Sequence, residues 1–152
     1  MTVWNIRTYR GGDEEAWLEL IRACRDFGQE LFNCSPSFRA DGVMFAVRGG
    51  QVIGECWGWI DDERIARTGE NRGDICCLCV HPQHRGRGLG RALLLAGVDW
   101  LRSRGMKSAH LAVDGANDRA RHLYESAGFV TQHRSVWHRT NLRDQSPGWE
   151  AV

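Results

Sequence analysis

The residues from Val80 to Arg91, Val-His-Pro-Gln-His-Arg-Gly-Arg-Gly-Leu-Gly-Arg, combine glycine and arginine in a way that suits one kind of chemistry. Gly86, Gly88 and Gly90 alternate through the stretch. A glycine lets a backbone N–H come close to a ligand, because no Cβ stands in the way. Arg85, Arg87 and Arg91 add positive charge. An apolar run, Ile75 to Val80, precedes the loop, and a long apolar stretch, Leu93 to Leu101, follows it. A loop running from a strand into a helix start offers free N–H groups and the positive dipole end to an anion. The stretch therefore reads as a pyrophosphate cradle. Two common glycine loops are excluded by residue type. The dinucleotide pattern G-x-G-x-x-G needs a third glycine where Arg91 stands, and a P-loop needs a terminal Gly-Lys-Ser/Thr that is absent. What remains is Arg85-x-x-Gly88-x-Gly90 between a strand and a helix.

Other residue types with reactive chemistry are less organised. Cys76-x-x-Cys79 has the spacing of a redox or zinc half-site, but no second pair at ligand spacing accompanies it. A strand over 75–80 would also turn Cys76 and Cys79 to opposite faces. The cysteines, Cys24, Cys34 and Cys56 among them, are expected as buried reduced thiols that pack as small hydrophobes. The histidines His81, His84, His110, His122, His133 and His138 form no metal-ligand pattern, so no metal is expected.

Positioning the loop requires the surrounding elements. Trp4 to Thr8 reads as a strand, broken by Gly11-Gly12. Asp13 opens a helix with Glu14 and Glu15 in its first turn. Ala16, Trp17, Leu20, Ile21, Cys24 and Phe27 recur at helical spacing. Asn33 to Gly42 is a loop or a short second helix. Val43 to Arg48 and Gln51 to Ile60 are strands of a hairpin around Gly49-Gly50. Trp57 and Trp59 share a face of the second strand and are expected in the core. Asp61 to Gly73 reads as a polar loop. Asp74 to Val80 is apolar on both faces from Ile75 onward, as in a central strand. Gly90 to Arg104 is a helix closed by Gly105, and Met106 to Asp114 alternates as a strand. Asn117 caps a helix that runs to Ala127 and ends at Gly128. Phe129 to Thr131 and Ser135 to Arg139 read as a last strand pair. The expected domain is residues 1–140, with a frayed tail at 141–152.

Composition narrows the partners. A chain of 152 residues is read as one domain with room for a sizeable core. Its 20 basic and 19 acidic residues leave a net charge of +1, which argues against general nucleic-acid binding and makes any basic site local. No apolar run reaches membrane-spanning length, and the N-terminus lacks the apolar core of a signal peptide. The expectation is a cytoplasmic protein with no membrane or nucleic-acid partner.

The ordered set of motifs over residues 74–130 resembles the acetyl-CoA site of the GNAT superfamily of N-acetyltransferases. A strand ends in Leu78-Cys79-Val80-His81-Pro82, and the R-x-x-G-x-G loop and its helix follow. A second strand then leads to Asn117, and Ala120-x-x-Leu123-Tyr124-Glu125-x-x-Gly128-Phe129 closes the set. The resemblance implies an α/β (α+β) fold. Its mixed, mostly antiparallel central sheet would have about six to seven strands flanked by helices, with two splayed parallel strands forming the acetyl-CoA cleft. It implies that the backbone of Leu78, Cys79 and Val80 pairs with the pantetheine arm. The amides of Arg85, Gly86, Arg87, Gly88, Leu89 and Gly90 would hold the pyrophosphate, and Arg85 or Arg91 would meet the 3′-phosphate. Asn117 would contact the cofactor arm besides capping its helix. Dimers are frequent in the superfamily.

The implied chemistry is direct attack of a primary amine on the thioester. The amine must lose a proton, and the departing thiolate needs one. Tyr124 stands where many members hold the group serving the sulfur, and a phenol titrating near 10 suits that donation. Asp74 is the candidate base, six residues before Val80 and so on one strand face with it. Glu55 on a neighbouring strand, or a chain of waters, is the alternative. The acceptor is open: a small-molecule amine such as a polyamine, an amino acid or an aminoglycoside, or a protein N-terminus. The competing reading is a non-catalytic acyl-CoA-binding sensor on the same fold, which needs neither Tyr124 nor a base. A basic nucleic-acid module would predict salt-dependent DNA binding and fits poorly with the near-zero net charge.

Overall fold

The computed structural model of the chain describes residues 3–24 and 38–136. Five strands among them form one sheet in the order of the sequence: β1 (Asn5–Thr8), β2 (Val43–Arg48), β3 (Gln51–Trp59), β4 (Arg72–Val80) and β5 (Ser108–His110). Only the β4–β5 pair is parallel; the others are antiparallel. Helices α1 (Glu14–Cys24), α2 (Asp62–Thr68), α3 (Leu89–Ser103) and α4 (Asp118–Ser126) complete the fold. The mixed, mostly antiparallel α/β architecture is the expected one. Its described strands number five, fewer than expected: residues 129–136 carry no strand, and 137–139 lie outside the described residues. So do Phe27, Cys34, the first half of the segment expected at Asn33 to Gly42, and the tail.

The sheet is covered on both faces. On one, α3 lays Leu93, Leu94, Trp100 and Leu101 against Met44, Ile53, Cys56 and Ile75. Burying such a side chain stabilises by about 1.5–3 kcal/mol relative to exposure, so this layer supplies much of the core. The approach is close because glycines line it. A Cβ at Gly97 would stand 2.7 Å from Cys56 Sγ, and one at Gly58 would stand 2.7 Å from the Trp100 ring. On the other face α1 lays Trp17, Leu20 and Cys24 against Phe45, Trp57, Cys77 and Cys79. Trp57 is 5% exposed, in the core as expected. The β2–β3 hairpin turns on Gly49 and Gly50, both left-handed at φ 56° and 83°, as a two-residue turn of that twist requires.

Four expectations are corrected. Asp61 to Gly73 is not a plain loop, because α2 lies within it. Asp61 accepts from Arg64 N at 2.8 Å as its N-cap, and Gly69 ends it at φ 72°. These capping residues were legible, but α2 buries none of its residues, so no apolar stripe announced it. The strand expected at 106–114 keeps only Ser108–His110.

The third correction is a β-bulge in β4. Trp57 pairs with Cys77 and Gly58 with Ile75, so Cys76 is an extra residue. A bulge shifts the alternation by one. Ile75, Leu78 and Val80 face α3, whereas Asp74, Cys77 and Cys79 face α1. Asp74 therefore does not share a face with Val80, although six residues separate them.

The fourth concerns sulfur. Cys24 and Cys79 form a disulfide, where reduced thiols were expected. Cys56 and Cys77 are free and buried as expected, but Cys76 is free and exposed. No helix among the described residues is long and apolar enough to cross a membrane.

Candidate functional site

The β4–β5 pairing is short. Arg72, Gly73 and Asp74 pair with Ser108, Ala109 and His110, and then β5 ends while β4 continues to Val80. A gap opens between 75–80 and the coil that follows His110. His81 N donates to Ile53 O of β3. Backbone groups alternate in direction along a strand, so those of Leu78 and Val80 face away from β3, into the gap. Val80 O accepts from Arg85 Nε at 2.9 Å on that side. By the same alternation the backbone of Cys79 turns toward its β3 partner Glu55.

The glycine loop closes the wide end of the gap. Pro82–His84 forms a short 3-10 turn after β4. Gly86 and Gly88 are left-handed, both at φ 77°, a conformation that side chains with a Cβ avoid. Gly88 is the N-cap of α3 and offers no side-chain acceptor. The first helical hydrogen bond runs from Ala92 N to Gly88 O at 3.1 Å. The N–H groups of Leu89, Gly90 and Arg91 thus have no helical acceptor and, with the helix dipole, form an anion site. The buried Leu89 side chain anchors that first turn in the core. Arg87 and Arg91 are exposed beside it. Gly90 has ordinary φ; a Cβ there would meet Leu123 Cδ2 at 3.4 Å and Val80 Cγ2 at 3.8 Å, both normal contacts.

On the far side of the gap Asn117 caps α4, its Oδ1 accepting from Ala120 N at 3.1 Å. The capping role anticipated for it is observed. α4 lays Leu123 and Tyr124 against the α3-side core. Tyr124 is half-buried beside Phe129, with ring centroids 6.1 Å apart. Burial, and after it the nearby Cys56 and Cys77, push its phenol above the usual 10, so it is a neutral proton donor at physiological pH. Among the described residues, none hydrogen-bonds its hydroxyl.

Asp74 is the last residue of β4 that pairs with β5, at the vertex of the gap. Arg64 of α2 donates to Asp74 Oδ2 at 2.7 Å and to Arg72 O at 3.0 Å. Arg72 Nε stands 3.9 Å from Asp74 Oδ1. These two arginines were missed at the level of sequence, since only the position of α2 brings Arg64 to the strand. Tyr124 and Asp74 lie on opposite sides of the sheet, one packed on the α3 layer and the other on the α1 face. Glu55 also faces α1, at 4% exposure, and accepts from Trp17 Nε1. Burial raises its carboxyl to about 7, with the Trp17 bond pulling the other way. A cavity of about 200 Å³ lined by Glu70, Asn71, Arg72, Ser108 and His110 lies at the starts of β4 and β5, at the other end of the strands from the glycine loop. No cluster of three or more metal-ligating side chains occurs among the described residues.

An anion cradle at a helix start, an unpaired strand edge and a neutral phenol thus surround one gap. Comparison with known proteins is consistent with that arrangement. Residues 4–129 match the model of the acetyltransferase (GNAT) family. The mycothiol acetyltransferase of Thermobispora bispora is 38% identical over 145 residues, covering 88% of this chain and 49% of that protein. The one of Acidimicrobium ferrooxidans is 33% identical over 142 residues, covering 86% and 45%. The chain thus spans about half the length of these relatives. Among solved structures, the ribosomal-protein-S18-alanine N-acetyltransferase of Escherichia coli superposes with a TM-score of 0.70 at 22% identity, covering 86% of this chain and 80% of that one. The aminoglycoside N-acetyltransferase AAC(6')-Iy, in complex with CoA, gives 0.71 at 17% identity, covering 92% and 96%. At these identities the two structures show a shared fold.

Proposed function

The chain belongs to the GNAT acetyltransferase family, and from that membership we propose that it moves an acetyl group from acetyl-CoA to a primary amine. The observation that carries the reading is the uncapped start of α3 behind Gly86 and Gly88, at the end of a strand with a free edge. The residues present fit coenzyme A: free N–H groups of Leu89, Gly90 and Arg91 for the pyrophosphate, Arg85, Arg87 and Arg91 for further phosphate charge, and the outward backbone of Leu78 and Val80 for an amide-bearing arm. Asn117 stands across the gap at the start of α4. When bound, acetyl-CoA supplies the thioester carbonyl that is attacked.

The two sides of the sheet then divide the proton work. Tyr124, a phenol whose burial pushes it further above the usual 10, donates to the sulfur that leaves as thiolate. Asp74, at the vertex of the gap, takes the ammonium proton of the acceptor through a water. Glu55 is the alternative base, supported by a carboxyl poised at about 7. The name of the relatives makes a mycothiol-type amine the first acceptor to try; a protein N-terminus and an aminoglycoside follow from the structural neighbours. One observation favours a second reading, an acyl-CoA sensor: Asp74 is occupied by Arg64 and Arg72, which leaves it less free to accept a proton.

A thiol-release assay with acetyl-CoA separates the two. The amines are a cysteinyl glycoside, an alanyl peptide, an aminoglycoside and a polyamine. Release with one of them supports the enzyme, whereas tight acetyl-CoA binding with no release from any supports the sensor. With the active acceptor, Tyr124→Phe lowers kcat by about 10²–10⁴ and leaves the acetyl-CoA Kd within two-fold. Full turnover in that variant removes Tyr124 as the acid.

A further inference from the structure

α1 is fastened to the back of β4 at two neighbouring points. The first is the Cys24–Cys79 disulfide. The second is the bond from Trp17 Nε1 to Glu55, the β3 residue directly opposite Cys79. Trp17 and Cys24 are seven residues apart, so they lie on one face of α1, two turns from each other. Cys79 stands between Leu78 and Val80, the residues whose backbone faces the gap. The covalent link therefore runs from the strand edge that would meet the cofactor arm to the last turn of α1. The next described residue after α1, Phe38, packs its ring edge-on against Trp57, 5.6 Å between centroids, on the same face. Cys24 and Phe38 thus both rest on the surface that the disulfide holds down.

We propose that Cys24–Cys79 is a redox-active disulfide, opened by a small-molecule thiol, that sets how firmly α1 braces the cofactor-facing part of β4. Each partner is 6% exposed, so a small thiol reaches the bond when α1 opens locally from the sheet. A small thiolate attacks Cys24 Sγ and forms a mixed disulfide, while Cys79 leaves as thiolate and takes up a proton. A second small thiol attacks the mixed disulfide and releases Cys24 as a thiol. In sum two small thiols become one disulfide, and one protein disulfide becomes two thiols. In a reducing compartment disulfides persist chiefly as sensing or catalytic ones, whereas in an oxidising one they are staples. The behaviour of the folded protein towards thiols decides between these.

The cofactor arm of this inference rests on the acetyl-CoA reading above; its sulfur arm does not. The air-oxidised protein is incubated folded with millimolar glutathione, quenched, denatured and alkylated. Intact mass should rise by two labels over the unreduced control, with the far-UV CD unchanged. Cys56, Cys76 and Cys77 are free alongside the disulfide and set the background, and the measurement is made on a Cys34→Ser background so that the remaining cysteine adds no label. Amide exchange in residues 14–24 should speed up by roughly ten-fold or more on reduction, while that in α3 stays the same. The acetyl-CoA Kd, by calorimetry, should weaken by about three- to ten-fold as preorganisation of β4 is lost. Cys24→Ser should show the reduced-state exchange and Kd in either buffer. Three results overturn the proposal: no gain of labels, reduction only after denaturant unfolds the chain, or identical exchange and Kd in the two states. Loss of acetyl-CoA binding in both states instead sinks the functional reading, and the label count and exchange still test the disulfide.

Discussion

A carboxylate on a central strand at 4% exposure has few ways to be tolerated. Glu55 keeps a proton, being pushed from the usual 4.5 to about 7, and it takes one hydrogen bond from Trp17. Between those pH values the folded protein holds a proton that the unfolded chain has released. Stability is therefore fully present below about 4.5, declines as pH rises, and is lost above 7, a change of about 3 kcal/mol at most. Glu55→Gln has no such proton. Its melting temperature should gain on that of the wild type from about pH 5 to about pH 7 and level off above it. Parallel curves over that range would exclude Glu55 as the linked group. At this scale the anion loop was legible from residue types alone, because glycine and arginine act through local backbone freedom and charge. The raised carboxyl of Glu55 was not, since burial raises it and that burial is completed by α1, whose Trp17 lies 38 positions away.

The glycines in and around α3 serve different purposes, and substitution separates them. Gly88 needs a left-handed backbone, so Gly88→Ala should destabilise by about 1–2 kcal/mol and weaken acetyl-CoA binding by about ten-fold or more. Gly90→Ala has ordinary φ and contacts, so it should unfold with the wild type, and any loss should appear in the acetyl-CoA Kd alone. Gly97 is a packing glycine. A Cβ there meets Cys56 Sγ of β3 at 2.7 Å and Ile75 Cδ1 of β4 at 3.1 Å. Gly97→Ala should cost about 1–3 kcal/mol by denaturant unfolding despite the better helix propensity of alanine. A stabilised Gly97→Ala would mean that α3 can lift from the sheet freely. Helices α1, α3 and α4 and most strands were predictable as elements, whereas α2, which buries none of its residues, was not. The β4 bulge was not: Ile-Cys-Cys-Leu-Cys reads equally well with or without an extra residue, and it is the partner β3 that selects the register.

For the whole molecule, two apolar layers share the strands β2 to β4. Neither layer has a sheet of its own, so they should unfold together. Trp100 reports on the α3 layer, and Trp17 and Trp57 on the α1 layer. Fluorescence of Trp100→Phe and of Trp17→Phe, and far-UV CD of each, should give coincident midpoints within each variant under urea. Separate transitions would show two folding units across one sheet. The same two-sided arrangement keeps Tyr124 and Asp74 on opposite sides of the sheet.

Residue order alone determined the glycine- and arginine-rich loop, the helix it leads into and the capped helix bearing Tyr124. Each is a local pattern, set by glycine conformations, helix caps and apolar spacing within a few residues. Tertiary structure decided the face on which Asp74 stands, its capture by Arg64, the buried Glu55–Trp17 bond and the Cys24–Cys79 link. Those depend on register between strands and on helices packed from distant parts of the chain. Strand pairing selects among registers that the local pattern leaves open, and a shift of one residue exchanges the two faces of a sheet.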